Sequence, residues 1–208
     1  MSNKKKIVSL QQLLVPVICV VIGGLCGFFA PSFIDRTIVN QGITENRLLD
    51  CGLVLLVFLV VFFFQTLIHA GGHLLFGLLS GYSFSSFRVG PFMLMKQGKE
   101  YCLRRMKLAG TGGQCLLAPA DLKDGKIPFV LYNLGGSLLN LVSAVLCLLL
   151  YIPLRAHPLI SVFLIINVFV GVIYALLNGV PLNMGMVTND GHNAVSMKKD
   201  PAALRAFW

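Results

Sequence analysis

Three long stretches of this chain carry no charged side chain, which narrows its fold more than any motif does. Asp, Glu, Lys and Arg are absent from Cys51 to Phe87, from Ile127 to Leu154 and from Ala156 to Asn189. Each stretch exceeds the roughly 20 residues needed to cross a hydrocarbon core about 30 Å thick. With 56% hydrophobic and 12% charged residues and a mean hydropathy of +0.81, the 208-residue chain lies far from the average soluble domain. A fourth apolar run, about Leu10 to Ile34, follows Lys4, Lys5 and Lys6. It lacks a clear small-residue cleavage site and has Pro31 where one would fall, so it reads as an anchor rather than a signal peptide. The expectation is an all-α polytopic membrane protein, one domain over residues 1–208, with about four transmembrane helices at about 10–34, 51–80, 128–153 and 158–177.

Charge placement orients such a chain, because Lys and Arg are retained on the cytoplasmic side. With the N-terminus inside, the inner segments hold three (Lys4 to Lys6), eight (Arg88, Lys96, Lys99, Arg104, Arg105, Lys107, Lys123, Lys126) and three (Lys198, Lys199, Arg205) of the 17 basic residues. Outside are only Arg36, Arg47 and Arg155. The net charge of +9 then reflects topology in a cell membrane and contact with anionic lipid, not nucleic-acid binding. The six cysteines show no CxxC spacing and read as small hydrophobes.

Between the second and third crossings, "YSFSSFRVGPFMLM" and "EYCLRRMKLAG" mix aromatic, β-favoured and polar residues around a turn-like "KQGKE". This predicts a small β-hairpin on the cytoplasmic membrane face. "TGGQCLLAP" follows, where Gly112 and Gly113 would let another backbone come close, or simply form another turn. The third crossing contains Gly135, Gly136 and Ser137, a small surface suited to tight helix packing, and Asn133 and Asn140 lie two turns apart on one face. After the fourth, Asn178, Gly179 and Pro181 break the helix, and Asp190 is the first carboxylate since Asp124. Asp200 and Pro201 make a good helix start with only a few residues after it, so the natural chain is expected to continue past Trp208.

Within the first uncharged stretch, "QTLIHAGGHLLFGLLSG" sets His69 and His73 four residues apart, so both imidazoles leave one helix face. Ionisable groups inside a membrane are costly and mark function by default. Catalytic zinc takes three protein ligands and keeps one open position. Asp190, beyond a helix break at the depth expected for His73, is the first choice for the third ligand, with His192 in reserve. The rival readings are a small transporter whose polar residues line a path, and a structural subunit in which the histidines are merely satisfied polar groups.

"HAGGH" on one membrane helix, "GGQC" on a surface strand, "GGSLLN" on the next helix and "NGVP" leading to "TNDG" after the last resemble, in this order, the site-2 protease family of intramembrane zinc metalloproteases. The resemblance covers about Gln65 to Asn193, with no PDZ insertion between the hairpin and the third helix. It implies Zn2+ held by His69, His73 and Asp190, with Asn140 as a polar group near the reacting carbonyl. It also implies an edge at Gly112, Gly113 and Gln114 that receives a transmembrane peptide or protein substrate in extended form, near the cytoplasmic side. The family's activity is peptide-bond hydrolysis within membrane segments, as in regulated intramembrane proteolysis or signal-peptide processing.

Two departures stand out. Asp190 lies twelve residues after Asn178, longer than the shortest Asn-Pro-Asp-Gly form of the family. More seriously, Ala70 stands where HExxH enzymes have the glutamate that takes a proton from water, and a methyl group cannot do so. A glutamate replaced by experiment, a natural pseudoprotease that binds membrane segments without cutting them, and an accidental motif all stand open at this point. The first two predict zinc binding with almost no turnover.

Overall fold

The computed structural model describes residues 44, 46–105, 113–119, 128–182 and 188–199. The expected first crossing at 10–34, Gly112 and the helix start at Asp200 lie outside the described residues. Helix α1 (Arg47–Leu79) opens at Asn46, whose side chain accepts from the Leu48 amide. It ends because Gly81 takes a left-handed φ of 88°. That turn lets the Tyr82 amide reach Gly77 O and the Gly81 amide reach Leu78 O, closing the last helical carbonyls. Helices α2 (Phe129–Leu154) and α3 (Pro158–Gly179) follow the sheet, Pro158 sitting at the first helical position of α3, where no amide is needed.

These three helices are long and apolar enough to cross a membrane, over Leu48–Leu79, Phe129–Leu154 and Pro158–Gly179. Their packing is inside-out relative to a soluble protein. Leu55, Phe63, Leu149 and Ile152 are exposed, whereas Gln65, Asn140, Ser161 and Asn167 are fully buried. Water-soluble folds place these classes the other way round.

The chain is helix-rich but not all-α, and the expected hairpin is a four-stranded antiparallel sheet in the order β3-β2-β1-β4. Strands β1 (Ser83–Val89), β2 (Phe92–Gln97), β3 (Glu100–Arg105) and β4 (Gly113–Ala118) occupy what the sequence reading treats as a two-stranded hairpin followed by a surface strand or turn at "GGQC". The physical reason is Gly90-Pro91, a two-residue turn between β1 and β2 that divides "SFSSFRVGPFMLM". Register puts Phe87, Leu94, Leu103 and Cys115 on one face. At β1 and β4 this face packs on the helices in a cluster of Tyr82, Cys115, Leu117, Phe129 and Tyr132. Toward β2 and β3 the same face runs past the helices, exposing Phe92, Leu94, Tyr101 and Leu103, with Lys96 and Arg105 flanking them.

A short helix, α4 (Asp190–Lys199), packs against α2 and the end of α3. Asn189 fixes the junction. Its Nδ2 donates to Leu177 O and Val180 O, and its Oδ1 accepts from the Leu182 and His192 amides at 2.9 Å each. A Cβ on Gly191 would overlap the Gly179 carbonyl, so α4 can start this close to α3 only with glycine there.

Candidate metal centre

His69 and His73 lie on the inward face of α1, ten and six residues before its end, so the site sits about 9–15 Å inside the sheet-proximal end of the bundle. Asp190, the first residue of α4, reaches the same place from beyond the end of α3. Among the described residues these three form one cluster of potential ligands. His69 Nε2 and His73 Nε2 are 3.2 Å apart, and each is 3.2 Å from Asp190 Oδ2. The three atoms thus form an equilateral triangle.

The other ring nitrogens decide what that triangle contains. His73 Nδ1 is 2.8 Å from the Tyr132 carbonyl, which can only accept, so Nδ1 carries the hydrogen. His69 Nδ1 is 2.8 Å from Asn140 Oδ1, and Asn140 must present its oxygen because its Nδ2 donates to Gln65 O at 3.0 Å and Gln65 Oε1 at 2.7 Å. With both ring protons on Nδ1, each Nε2 offers a lone pair. Asp190 Oδ2 is buried and receives no hydrogen bond.

Three electron-rich atoms at 3.2 Å repel one another unless a positive charge lies among them. A single added proton relieves one pair; a divalent cation relieves all three. Tetrahedral zinc with bonds of about 2.0–2.1 Å spaces its ligands about 3.3–3.4 Å apart, close to the observed triangle, and two imidazoles with one carboxylate are a donor set zinc accepts. Each imidazole also has the outer hydrogen-bond acceptor on Nδ1 that metal-ligating histidines need. Burial alone would raise the Asp190 carboxyl, but in metal-free protein, once the facing rings are protonated and their Nε2 atoms become donors, their hydrogen bonds and charges outweigh it and hold it at about 2.

The backbone leaves room for this arrangement at one place. A Cβ on Gly136 would stand 2.6 Å from His69 Nδ1 and 2.7 Å from His73 Nε2. One residue earlier, α2 crosses α1 so closely that a Cβ on Gly72 would overlap the Gly135 carbonyl. Close glycine crossings of this kind replace hydrophobic driving force within a membrane.

The remaining expected site residues fall as follows. Ala70 is 2% exposed and points at the start of β4, where a Cβ built on Gly113 would be 3.6 Å from its methyl. β4 is an edge of the described sheet, and Gln114 on it is exposed. Asn140 is fully buried beside His69 with its amide hydrogens taken by Gln65, so it orients the His69 ring and is not placed to donate to a reacting carbonyl. His192 stands outside the ligand cluster. Cys115 is a packing residue, for burial pushes its thiol up to about 12. The sequence reading misses Gln65, Asn167, Tyr132 and Asn189. Gln65 carried a signal, since it sits one turn before His69 on the same face.

No family model, curated protein or solved structure matches this chain.

Proposed function

We propose that the chain is a membrane-embedded metallopeptidase of the site-2 protease type with a complete zinc centre and alanine, at Ala70, in the position of the general base. The supporting observation is the triangle of His69, His73 and Asp190, built from two elements far apart in sequence and buried at one level of a helical bundle. Zinc bound there supplies Lewis-acid polarisation of a peptide carbonyl and lowers the pKa of water. His69, His73 and Asp190 hold it, and Asn140 and Tyr132 keep the two rings in the ligand tautomer.

The substrate is a transmembrane segment. It adds in extended form to the β4 edge at Gly113 and Gln114, because a helical peptide shields its carbonyls from attack. Ala70 faces that edge from α1, where a carboxylate would lie between substrate and metal. The sheet's uncovered apolar face, with Lys96 and Arg105 beside it, suits the surface of the cytoplasmic leaflet. A conducting path would leave polar side chains facing a lumen, whereas Gln65, Asn140 and Asn167 are buried and bonded to one another.

Two measurements test the reading. Elemental analysis of the purified protein is expected to give about one zinc per chain, lost in His69→Ala. Ala70→Glu is expected to recover cleavage of a membrane peptide, while the parent docks the peptide without cutting it. A metal-free parent, or a zinc-loaded Ala70→Glu form with no hydrolysis, overturns it.

A further inference from the structure

A file of buried amides connects His69 on α1 to the far helix α3. His69 Nδ1 meets Asn140 Oδ1 at 2.8 Å, Asn140 Nδ2 donates to Gln65 Oε1 at 2.7 Å, and Gln65 Nε2 donates to Asn167 Oδ1 at 3.1 Å. Asn167 Nδ2 ends the file on Phe163 O at 2.9 Å. Gln65, Asn140 and Asn167 are each 0% exposed. Three bonds branch from it: Asn140 Nδ2 also donates to the Gln65 backbone carbonyl at 3.0 Å, and Gln65 Nε2 to Asn167 O at 3.4 Å and to Ser143 Oγ at 3.3 Å.

Backbone carbonyls fix the direction of every bond, all in the same sense: Phe163 O and Asn167 O at the α3 end, and Gln65 O beside Asn140. Phe163 O is a carbonyl and can only accept, so Asn167 turns its NH2 toward it and its oxygen toward Gln65. Gln65 must then give its NH2 to Asn167 and its oxygen to Asn140. Asn140 in turn gives NH2 to Gln65 and oxygen to His69, and the hydrogen on His69 is held at Nδ1. Reversing any amide would set two donors or two acceptors against each other in a water-free interior, at the cost of an unmet buried polar group.

We propose that Gln65 and Asn167 are positioning residues of the metal centre: together with the Gln65 backbone carbonyl, their side chains hold Asn140 in the orientation that makes His69 an Nε2 ligand. The consequence of this amide relay for zinc rests on the metallopeptidase reading above; its consequence for the ring proton does not. Apolar side chains would fill the same space without polar cost, yet three amides are kept there and aligned in one sense toward a ligand. Outer partners of metal-ligating histidines typically contribute 10–100-fold to metal affinity.

The test uses the full chain in lipid nanodiscs, with 15N-labelled histidine and metal removed, at alkaline pH so that the rings are neutral. His69 is expected to carry its hydrogen on Nδ1 in the parent and to become a mixture of tautomers in Gln65→Leu and Asn167→Leu. Competition titration with zinc is expected to show affinity reduced about 10–100-fold in both variants. Asn167→Asp restores both properties, since a carboxyl there, ionised or not, still accepts from Gln65 Nε2. The parent alone can overturn the relay, if its His69 hydrogen sits on Nε2. Leucine variants that fold and keep the parent tautomer overturn it as well. If the tautomer shifts as expected but the parent takes up no zinc, the relay stands and the metallopeptidase reading falls.

Discussion

The two halves of α1 are both strongly apolar, yet they live in opposite surroundings. From Leu48 to Phe64 the helix shows Leu55, Leu56, Leu59, Phe62 and Phe63 on its exposed surface, and Val61 is its buried exception. From Gln65 onward, Gln65, Thr66, Ala70, Gly72 and Gly77 are buried where α2, α3 and β4 close around the helix. Hydrophobicity does not explain this difference, because lipid is as apolar as leucine and gives helices no reason to associate. Glycines that permit contact and amides that demand partners bring the second half together, and His69 and His73, the two corners of the triangle that α1 supplies, lie in that half.

The largest effect should come from filling the gap that Gly136 leaves. Gly136→Ala places a methyl group against both imidazoles, 2.6 Å from His69 Nδ1. Zinc affinity is expected to fall by more than about a hundredfold, about 3 kcal/mol or more. A competition titration reads this directly. Retention of parent affinity would mean that the rings do not lie where the triangle puts them.

Next comes the crossing itself. In Gly72→Ala the new methyl meets backbone of Gly135 and 2.8 Å away Gly136 Cα, neither of which is a flexible side chain. Overpacking of this kind costs about 1–3 kcal/mol, so a lowered thermal midpoint in detergent is expected. The equivalent change in the other half, Gly52→Ala, meets nothing within 4 Å and should leave the midpoint unchanged or slightly raised. Equal effects at the two glycines would erase the contrast between the halves.

Much of this contrast was legible in the sequence, and its limits have physical causes. The three spans follow from long charge-free runs, since lipid forbids unpaired backbone over that length. The His69 and His73 pair is visible because helical spacing alone brings residues four apart together. Asp190 was reachable through its position after the Asn178 to Pro181 break, although only tertiary structure brings it 3.2 Å from both rings. The sheet was underestimated, since Gly90-Pro91 lies inside a run that reads as one strand. Asn140 illustrates a deeper limit. Sequence marks a buried polar residue as functional, but whether its amide faces substrate or ligand depends on partners from α1 such as Gln65, which no local pattern reveals.

Acid should weaken the buried half selectively. Asp190 is held at about 2 against an ordinary value of 3.8, so its folded form binds its proton less readily than the unfolded chain does. A depressed carboxyl contributes stability above the unfolded value and loses it as pH falls through the folded one. In metal-free protein the window therefore runs from about 4 down to about 2, with about 2 kcal/mol lost across it. Thermal midpoints of the parent measured across that range should fall, and Asp190→Asn should lack that step. A parent whose midpoint is flat between those values would show the carboxylate to be solvated rather than held between the rings.

The smallest effect belongs to the lipid-facing half. Leu56→Ala removes a side chain that is 57% exposed on the outward surface of the helix. In a water-soluble core, truncating leucine to alanine costs about 2–5 kcal/mol through lost transfer energy and a residual cavity. Here neither cost applies. Acyl chains occupy the vacated volume, and the leucine was already in an apolar medium before folding brought the helices together. The expected change in stability is within about 0.5 kcal/mol, with zinc content unaltered. A loss as large as that of Gly72→Ala would mean that this face is covered by protein, and the first half of α1 would then belong to an interface instead of to the bilayer.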